Sequence, residues 1–172
     1  FSSCCFLRYR RKVIRLVVSI LTDKIYSYYS NSPLPTMSTK LNKSSHCAYS
    51  IHLHLIFITK YRRKVLTSEM IIRLREIFED LCLKSKSTLL EFGSESDHCH
   101  LLVSLHPNNN ISILVKNLKS SSSRLLRKEF ALELSKTYWK PVLWSSSYCV
   151  ISAGGAPLEV LKKYIQTQET PQ

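Results

Sequence analysis

Three features are missing from this sequence, and each absence argues against a class of protein. The six cysteines, at positions 4, 5, 47, 82, 99 and 149, form no C-x-x-C pair and no even disulfide ladder, which indicates reduced thiols. The apolar run at 16–21 is too short to cross a bilayer, since a spanning helix needs about 20 apolar residues. No small-residue cleavage site follows that run, as a secretory signal would require. We therefore expect a cytoplasmic protein with no membrane segment.

Acidic residues are also few. The chain has 12 Asp and Glu against 25 Lys and Arg, which gives a formal net charge of +13. Such a charge favours a polyanionic partner, and nucleic acid is the obvious candidate. Ribosomal and membrane-surface proteins share this composition, so the charge raises an expectation without selecting a function.

The patterned part of the chain begins well inside the sequence. Residues 1–36 differ in texture from the rest and end in a turn-rich run, and we predict that they are a non-native or disordered leader outside the fold. Met37 then fits a native start, and residues 37–46 are predicted to form a polar N-terminal arm. Residues 47–172 are predicted to form one domain, which their number suits.

Strand and helix patterns alternate along that domain. The predicted elements are a strand at 48–59, a helix from Thr67 or Ser68 to about 86, strands at 88–92 and 98–105, a helix from Asn110 or Ser112 to about 134, a strand at 148–152 and a helix at 158–168. The order βαββαβ is that of the ferredoxin-like, RRM-like α+β fold with an antiparallel sheet, here with an additional C-terminal helix. Many different functions use this fold.

Two short motifs could carry chemistry. Side chains alternate along a strand, so His98 and His100 project together and Cys99 faces the other way. Residues four apart share a helix face, which places Tyr164 beside Gln168. Two imidazoles and an amide can bind a divalent metal, and a phenol can attack a phosphate that a cation has polarised.

Each of these residues also has an ordinary structural interpretation. A second H-x-H, His52-Leu53-His54, competes with the first, and spacing alone does not choose between the pairs. Tyr164 by itself fits an aromatic on a helix surface, and Gln168 fits a solvated polar residue. Cys99 is most simply a small buried apolar residue.

A family resemblance chooses between these interpretations. The segment Asp97-His98-Cys99-His100-Leu101-Leu102-Val103 resembles the HUH motif, and Tyr164-x-x-x-Gln168 resembles the partner motif of the single-tyrosine HUH transposases. These are the small TnpA-like transposases of insertion sequences that move as single-stranded DNA, with relatives associated with REP palindromes. The similarity covers nearly all of 46–168, including Lys60 to Val65 and Gly154 to Leu158. The family does not place its histidine pair on the first strand, where His52 and His54 lie.

The resemblance implies a function and a site. Tyr164 would attack the scissile phosphate of a single strand and form a 5′-phosphotyrosine, and His98, His100 and Gln168 would hold Mg²⁺ or Mn²⁺. No nucleotide cofactor is needed, which agrees with the lack of a P-loop sequence. The implied partners are single-stranded DNA with hairpin ends and a second copy of the chain, whose histidines the tyrosine helix could serve.

Basic and aromatic residues are candidates for contacting the DNA. Tyr61, Trp139 and Trp144 could stack on unpaired bases, although core packing is favoured for the tryptophans. A serine run at 120–123 departs from the family pattern and falls on a helix face that could meet DNA. The predicted backbone contacts are Lys60, Arg62, Arg63, Lys64, Lys116, Lys119, Arg124, Arg127 and Lys128.

Three other readings stay open. A domesticated relative would use the same chemistry on repeated palindromes of its host genome. A non-catalytic RNA-binding module would use the same sheet, but it predicts aromatic-rich strands where this chain has His-Cys-His. An inactive copy of a mobile element would fit the unusual start of the chain, while the intact motifs argue against loss of the active site.

Overall fold

The computed structural model describes residues 41–44, 46–153, 162, 163, 165 and 166. Six strands, three helices and a 3-10 turn at Lys60–Arg62 are defined within these residues. They are β1 Asn42–Ser44, β2 Cys47–Tyr49, β3 His52–Thr59, α1 Ser68–Lys84, β4 Thr88–Ser94, β5 His98–Ser104, α2 Ile111–Glu129, α3 Ala131–Thr137 and β6 Trp144–Ser152. No helix among the described residues is long and apolar enough to cross a membrane.

Four strands form the main sheet, in the spatial order β4-β5-β3-β6, and every neighbouring pair is antiparallel. Strand β3 enters α1, the β4–β5 hairpin follows, and α2 leads through α3 to β6. This is the ferredoxin-like arrangement, in which each helix connects strands that are not neighbours. The predicted α+β fold with an antiparallel sheet is therefore confirmed.

The apolar core lies on one face of this sheet. Leu55 and Phe57 of β3, together with Cys99 and Leu101 of β5, are fully buried and belong to one hydrophobic cluster with α1 and α2. Because strand side chains alternate, the intervening residues of β3 and β5 point to the opposite face. His54, His98 and His100 therefore share that second face.

Both core helices start at polar caps that the sequence indicated. The hydroxyl of Thr67 accepts a hydrogen bond from the backbone N–H of Met70, and the side-chain oxygen of Asn110 accepts from the N–H groups of Ser112 and Ile113. These bonds satisfy N–H groups that have no partner inside the helix. The predicted starts of the two helices are confirmed.

Three element boundaries differ from the predictions. The helix predicted to reach about 134 ends at Glu129, because Phe130 packs against the core with a non-helical backbone (φ −114°, ψ 42°), and α3 begins after it. The predicted first strand is divided into β2 and β3. Strand β2 pairs with β1, and β1 lies inside the segment that was predicted to be a polar arm. The last strand starts at Trp144, because that residue pairs with Thr59 beyond a register shift.

Candidate active site

Two histidines of β5 lie side by side on the second face of the sheet. The ring centroids of His98 and His100 are 5.0 Å apart, with the ring planes at 74°. His100 is fully buried and His98 is 7% exposed, whereas Cys99 packs into the core on the other side. The predicted alternation of these three residues is confirmed, and it makes the two imidazoles neighbours.

Asp97 binds one ring nitrogen of His98. Nδ1 of His98 lies 2.6 Å from Oδ1 of Asp97, and Nε of Arg62 donates to Oδ2 of the same carboxylate at 3.1 Å. The hydrogen bond to His98 lowers the pKa of Asp97. Burial raises this pKa, but the charges of His98 and Arg62 lower it further. An ionised carboxylate can only accept, so in the neutral ring Nδ1 carries the proton and Nε2 keeps its lone pair.

His100 is paired with a histidine of the neighbouring strand. Nε2 of His54 lies 3.0 Å from Nδ1 of His100, and the two rings stack with centroids 5.2 Å apart at 26°. Burial lowers the pKa of His54 to about 4. Burial, with the charges of His54 and His98, also lowers the pKa of His100 well below its usual value. Both rings are therefore neutral near pH 7, and one of them donates while the other accepts.

Two carboxylates in the β4–β5 turn lie beside His98. Oε1 of Glu95 is 4.0 Å from Nε2 of His98. Ligand atoms of Glu95, Asp97 and His98 all lie within 4.8 Å of one another, so these residues could hold a metal ion. Neither carboxylate was among the ligands predicted from sequence, where the only signal was an acidic, polar turn just before the histidines. A mixture of carboxylate and imidazole ligands suits Mg²⁺ or Mn²⁺.

Residues of the C-terminal segment contact the histidine face at its β4 side. Ile165 is fully buried, and it lies against Gly93, the residue of β4 that pairs with His100. The side-chain amide of Gln166 donates to Oε2 of Glu91 at 3.1 Å. The backbone is helical at Ile165 and Gln166, as predicted for this segment.

The same segment also approaches β3. The pKa of His52 is lowered by burial and by the charge of Lys162, which places that ammonium near the first strand of the sheet core. Ile165 thus lies against the face that carries the histidines. Tyr164 and Gln168, the predicted nucleophile and amide ligand, lie outside the described residues, as do residues 154–161, which include the start of the predicted last helix.

A basic turn at residues 60–64 lies next to Asp97 and His98. Tyr61 and Arg62 have φ values of 61° and 53°, in the left-handed region that non-glycine residues rarely adopt. Such a backbone costs of order 1–3 kcal/mol and persists only where surrounding contacts enforce it. The N–H of Lys60 donates to the carbonyl of Leu143 at 2.7 Å, and Arg62 binds Asp97. The turn is therefore fixed at both ends.

Comparison with known proteins identifies the family. A family model described as "Transposase IS200 like" matches residues 47–168, well over half of the chain. The chain belongs to the IS200-like transposase family. Transposases of this family cleave and rejoin DNA, so the chain is a DNA transposase, as its sequence predicted.

Individual relatives agree with this assignment. The ISDra2 transposase TnpA of Deinococcus radiodurans is 30% identical over 129 residues, which cover 75% of this chain and 91% of that protein. The transposase for insertion sequence element IS200 of Salmonella typhimurium is 27% identical over 124 residues, covering 72% and 80%. A Deinococcus radiodurans protein assigned as a transposase, with a crystal structure at 1.90 Å, superposes with a TM-score of 0.61 at 31% identity and covers 76% of this chain and 99% of its own.

A groove on the transposase collects most of the predicted helical DNA contacts. It lies between α2 and the segment 141–148, has a volume of about 540 Å³, and is lined by Lys116, Lys119, Arg124 and Arg127. Lys128 is exposed but does not line it. Lys60 of the basic turn bonds to Leu143, which is itself a groove residue, so Lys60, Arg62, Arg63 and Lys64 continue the basic surface toward His98.

Lys119 lines the groove, but its ammonium group is bound by backbone carbonyl groups of the protein. Its Nζ donates to the carbonyl oxygens of Ser145, Ser146 and Ser147 at 2.6, 3.2 and 3.2 Å. The same atom lies 5.4 Å from the ring centroid of Tyr148. Burial lowers the pKa of Lys119 to about 8. The ammonium therefore holds the serine-rich start of β6 in place.

The aromatic candidates for base stacking have different fates. Trp144 is buried, and its Nε1 donates to the hydroxyl of Ser122 at 2.9 Å, so one member of the serine run has a role in the core. Trp139 is fully exposed, and the expectation that it packs in the core was wrong because Tyr138 takes that position beside it. Tyr61 is 65% exposed, which leaves Trp139 and Tyr61 available to stack.

Proposed function

We propose that this transposase cleaves and rejoins single-stranded DNA at insertion-sequence ends through a covalent 5′-phosphotyrosine at Tyr164, with a divalent metal held at His98, His100 and Gln168. The observation that carries the proposal is the pair of adjacent imidazoles, one of which is held at Nδ1 by Asp97, so that in the neutral ring Nε2 is the nitrogen with the lone pair. Glu95 lies at the same edge of the site and is a further candidate ligand. The preferred ion is Mg²⁺ or Mn²⁺.

The chemistry asks little of the protein beyond placement and polarisation. The phenol of Tyr164 loses its proton as its oxygen bonds to phosphorus, the P–O3′ bond breaks, and the departing 3′-oxygen takes up a proton, so that one proton is lost and one is gained. In the reverse step a 3′-hydroxyl attacks the phosphotyrosine and releases the phenol, so bond energy is conserved without a nucleotide cofactor. The bound metal would polarise the phosphate. His98, His100 and Asp97 are buried or nearly so, which fixes the ligand geometry before DNA arrives.

The basic surface gives the strand a path to the site. We propose that single-stranded DNA follows the groove along α2, crosses the segment near Leu143 and passes the basic turn to reach His98. Exposed Arg63 and Lys64 in the turn, and Arg124 in the groove, are the cations best placed to meet phosphates. Arg62 can steer the strand only in competition with Asp97, which already binds it. We also propose that the DNA has hairpin ends and that the transposase acts as a homodimer.

Two cations of the groove should respond differently to substitution. Arg124→Gln should lower the slope of log affinity against log salt by about 0.7 on single-stranded DNA, because one phosphate contact is lost. Lys119→Met should leave that slope nearly unchanged and lower the free energy of unfolding by about 1–3 kcal/mol, because three carbonyls lose a charged donor. Fluorescence anisotropy at several salt concentrations and urea denaturation measure the two effects. A reduced slope with unchanged stability in Lys119→Met would mean that this ammonium binds DNA instead.

The proposed function is tested by trapping the covalent intermediate. The full chain is incubated with end-labelled single strands that carry hairpin ends, in Mg²⁺ or Mn²⁺, and then denatured in detergent. We expect a labelled protein–DNA adduct that chelation of the metal prevents, and no adduct with the same sequence as a full duplex. A chain that binds the strands normally but forms no adduct in either metal would overturn the phosphotyrosine proposal.

A further inference from the structure

One member of the unused H-x-H pair reaches the site from the neighbouring strand. His54 pairs in register with Leu102 of β5 and Ile151 of β6, which places it diagonally across from His100, whose own partner is Ile56. The side chain of His54 is 1% exposed. Its Nε2 lies 3.0 Å from Nδ1 of His100. A central strand with a neighbour on each side thus holds the imidazole in contact with the site.

The hydrogen bond between the two rings decides which nitrogen of His100 can bind a metal. A neutral imidazole has one N–H donor and one acceptor nitrogen. If Nδ1 of His100 donates to Nε2 of His54, then Nε2 of His100 keeps its lone pair and can act as a ligand. If the bond runs the other way, Nε2 of His100 carries the proton and cannot bind. The partner on Nδ1 therefore sets the ligand character of the ring.

We propose that His54 is a positioning residue, whose Nε2 accepts a hydrogen bond from Nδ1 of His100 and so fixes the tautomer that presents Nε2 to the metal. This inference rests on the proposed function, in which His100 is a metal ligand. It gives His54 the task that Asp97 performs for His98, since each ligand is held at Nδ1 by a different acceptor. A neutral acceptor at His54 adds no negative charge next to His100.

The test compares substitutions of His54 that differ in their hydrogen-bonding atom. His54→Leu removes the acceptor and keeps an apolar side chain of similar volume. His54→Gln places an amide oxygen near the position of Nε2, whereas the shorter His54→Asn does not reach it. His52→Gln is the matched control from the same H-x-H. Among the described residues, Nδ1 of His52 lies 3.5 Å from Oγ of Ser50, and its ring is not hydrogen-bonded to His100.

Two measurements on the full chain without DNA distinguish positioning from a merely structural role. Titration calorimetry with Mn²⁺ should show about 10–100-fold weaker binding for His54→Leu and His54→Asn, the range typical of a lost partner of a metal-binding histidine. We expect His54→Gln to bind Mn²⁺ within about threefold of the wild-type affinity, and His52→Gln to bind it with the wild-type affinity. Long-range ¹H–¹⁵N spectra of the metal-free protein should show His100 protonated at Nδ1 in wild type and in His54→Gln.

Each outcome decides the inference. Equal Mn²⁺ affinity in folded His54→Leu and wild type, or a wild-type His100 protonated at Nε2, would overturn it. If His54→Leu fails to fold, the comparison of His54→Gln with His54→Asn makes the same decision. If wild type binds no Mn²⁺, or His100→Ala binds it unchanged, the proposed metal site fails, and the tautomer in the metal-free spectra still determines whether His54 is the acceptor.

Discussion

Replacement of Tyr164 by phenylalanine should reduce the covalent protein–DNA adduct below detection while affinity for single-stranded DNA stays unchanged. Phenylalanine keeps the ring and lacks the oxygen that bonds to phosphorus, and loss of a nucleophile removes the covalent pathway altogether. The measurement is the adduct band after denaturation, with binding followed by anisotropy on the same strands. Higher metal or protein concentrations should not restore the band, because phenylalanine has no oxygen that can attack phosphorus.

A second tyrosine supplies the control for this substitution. Tyr61 is 65% exposed in the basic turn beside the site, and Tyr61→Phe should keep full adduct formation. An adduct that persists in Tyr164→Phe would show that the nucleophile is misassigned. Mass spectrometry of the digested adduct would then identify which of the nine tyrosines carries the nucleotide.

Mixing two inactive variants tests which subunit the tyrosine serves. His98→Ala retains the proposed nucleophile and loses a metal ligand, while Tyr164→Phe has the converse defect. A mixed dimer regains one complete site if the tyrosine acts on the partner's histidines, and regains none if it acts on its own. In the described residues, Ile165 and Gln166 contact the sheet of their own chain, at Gly93 and Glu91.

Much of the fold could be predicted from local patterns. The strand and helix periodicities and the caps at Thr67 and Asn110 act over a few residues, so the sequence reports them directly. The break after Glu129 was missed because no proline or glycine marks it, and it depends on how Phe130 meets the core. The start of the last strand was missed because Ser145 to Ser147 have weak strand propensity, and their order depends on the distant Lys119.

The site was predictable where its residues are close in sequence. Alternation along one strand places His98 beside His100, and family resemblance chose that pair over His52 and His54. The contact between His54 and His100 joins positions 46 residues apart, and it depends on the register of two strands that no local pattern specifies. The neighbours Asp97 and Glu95 could have been named from sequence, because they stand in the turn that enters the histidine strand.

Gly93→Ala should lower the rate of adduct formation by about 100-fold or more and leave the sheet folded. An added Cβ at this position would lie 2.5 Å from the carbonyl oxygen of Ile165 and 2.8 Å from its Cγ2. The first of these is a backbone atom, so the main chain at Ile165 must shift. Ile165 follows the proposed nucleophile directly, and a displacement of about 1 Å at a reacting group can cost roughly 10²-fold in rate.

The reason for a glycine here is close approach, because Gly93 has no positive φ. Alanine is therefore compatible with the strand itself, and circular dichroism should show unchanged sheet content. Adding Ile165→Ala removes the side-chain clash but leaves the carbonyl contact, so the double variant should stay impaired. Gln166→Ala loses only the hydrogen bond to Glu91 and should retain most of the activity. Wild-type adduct rates in Gly93→Ala would mean that Ile165 moves away from Gly93 before the tyrosine acts.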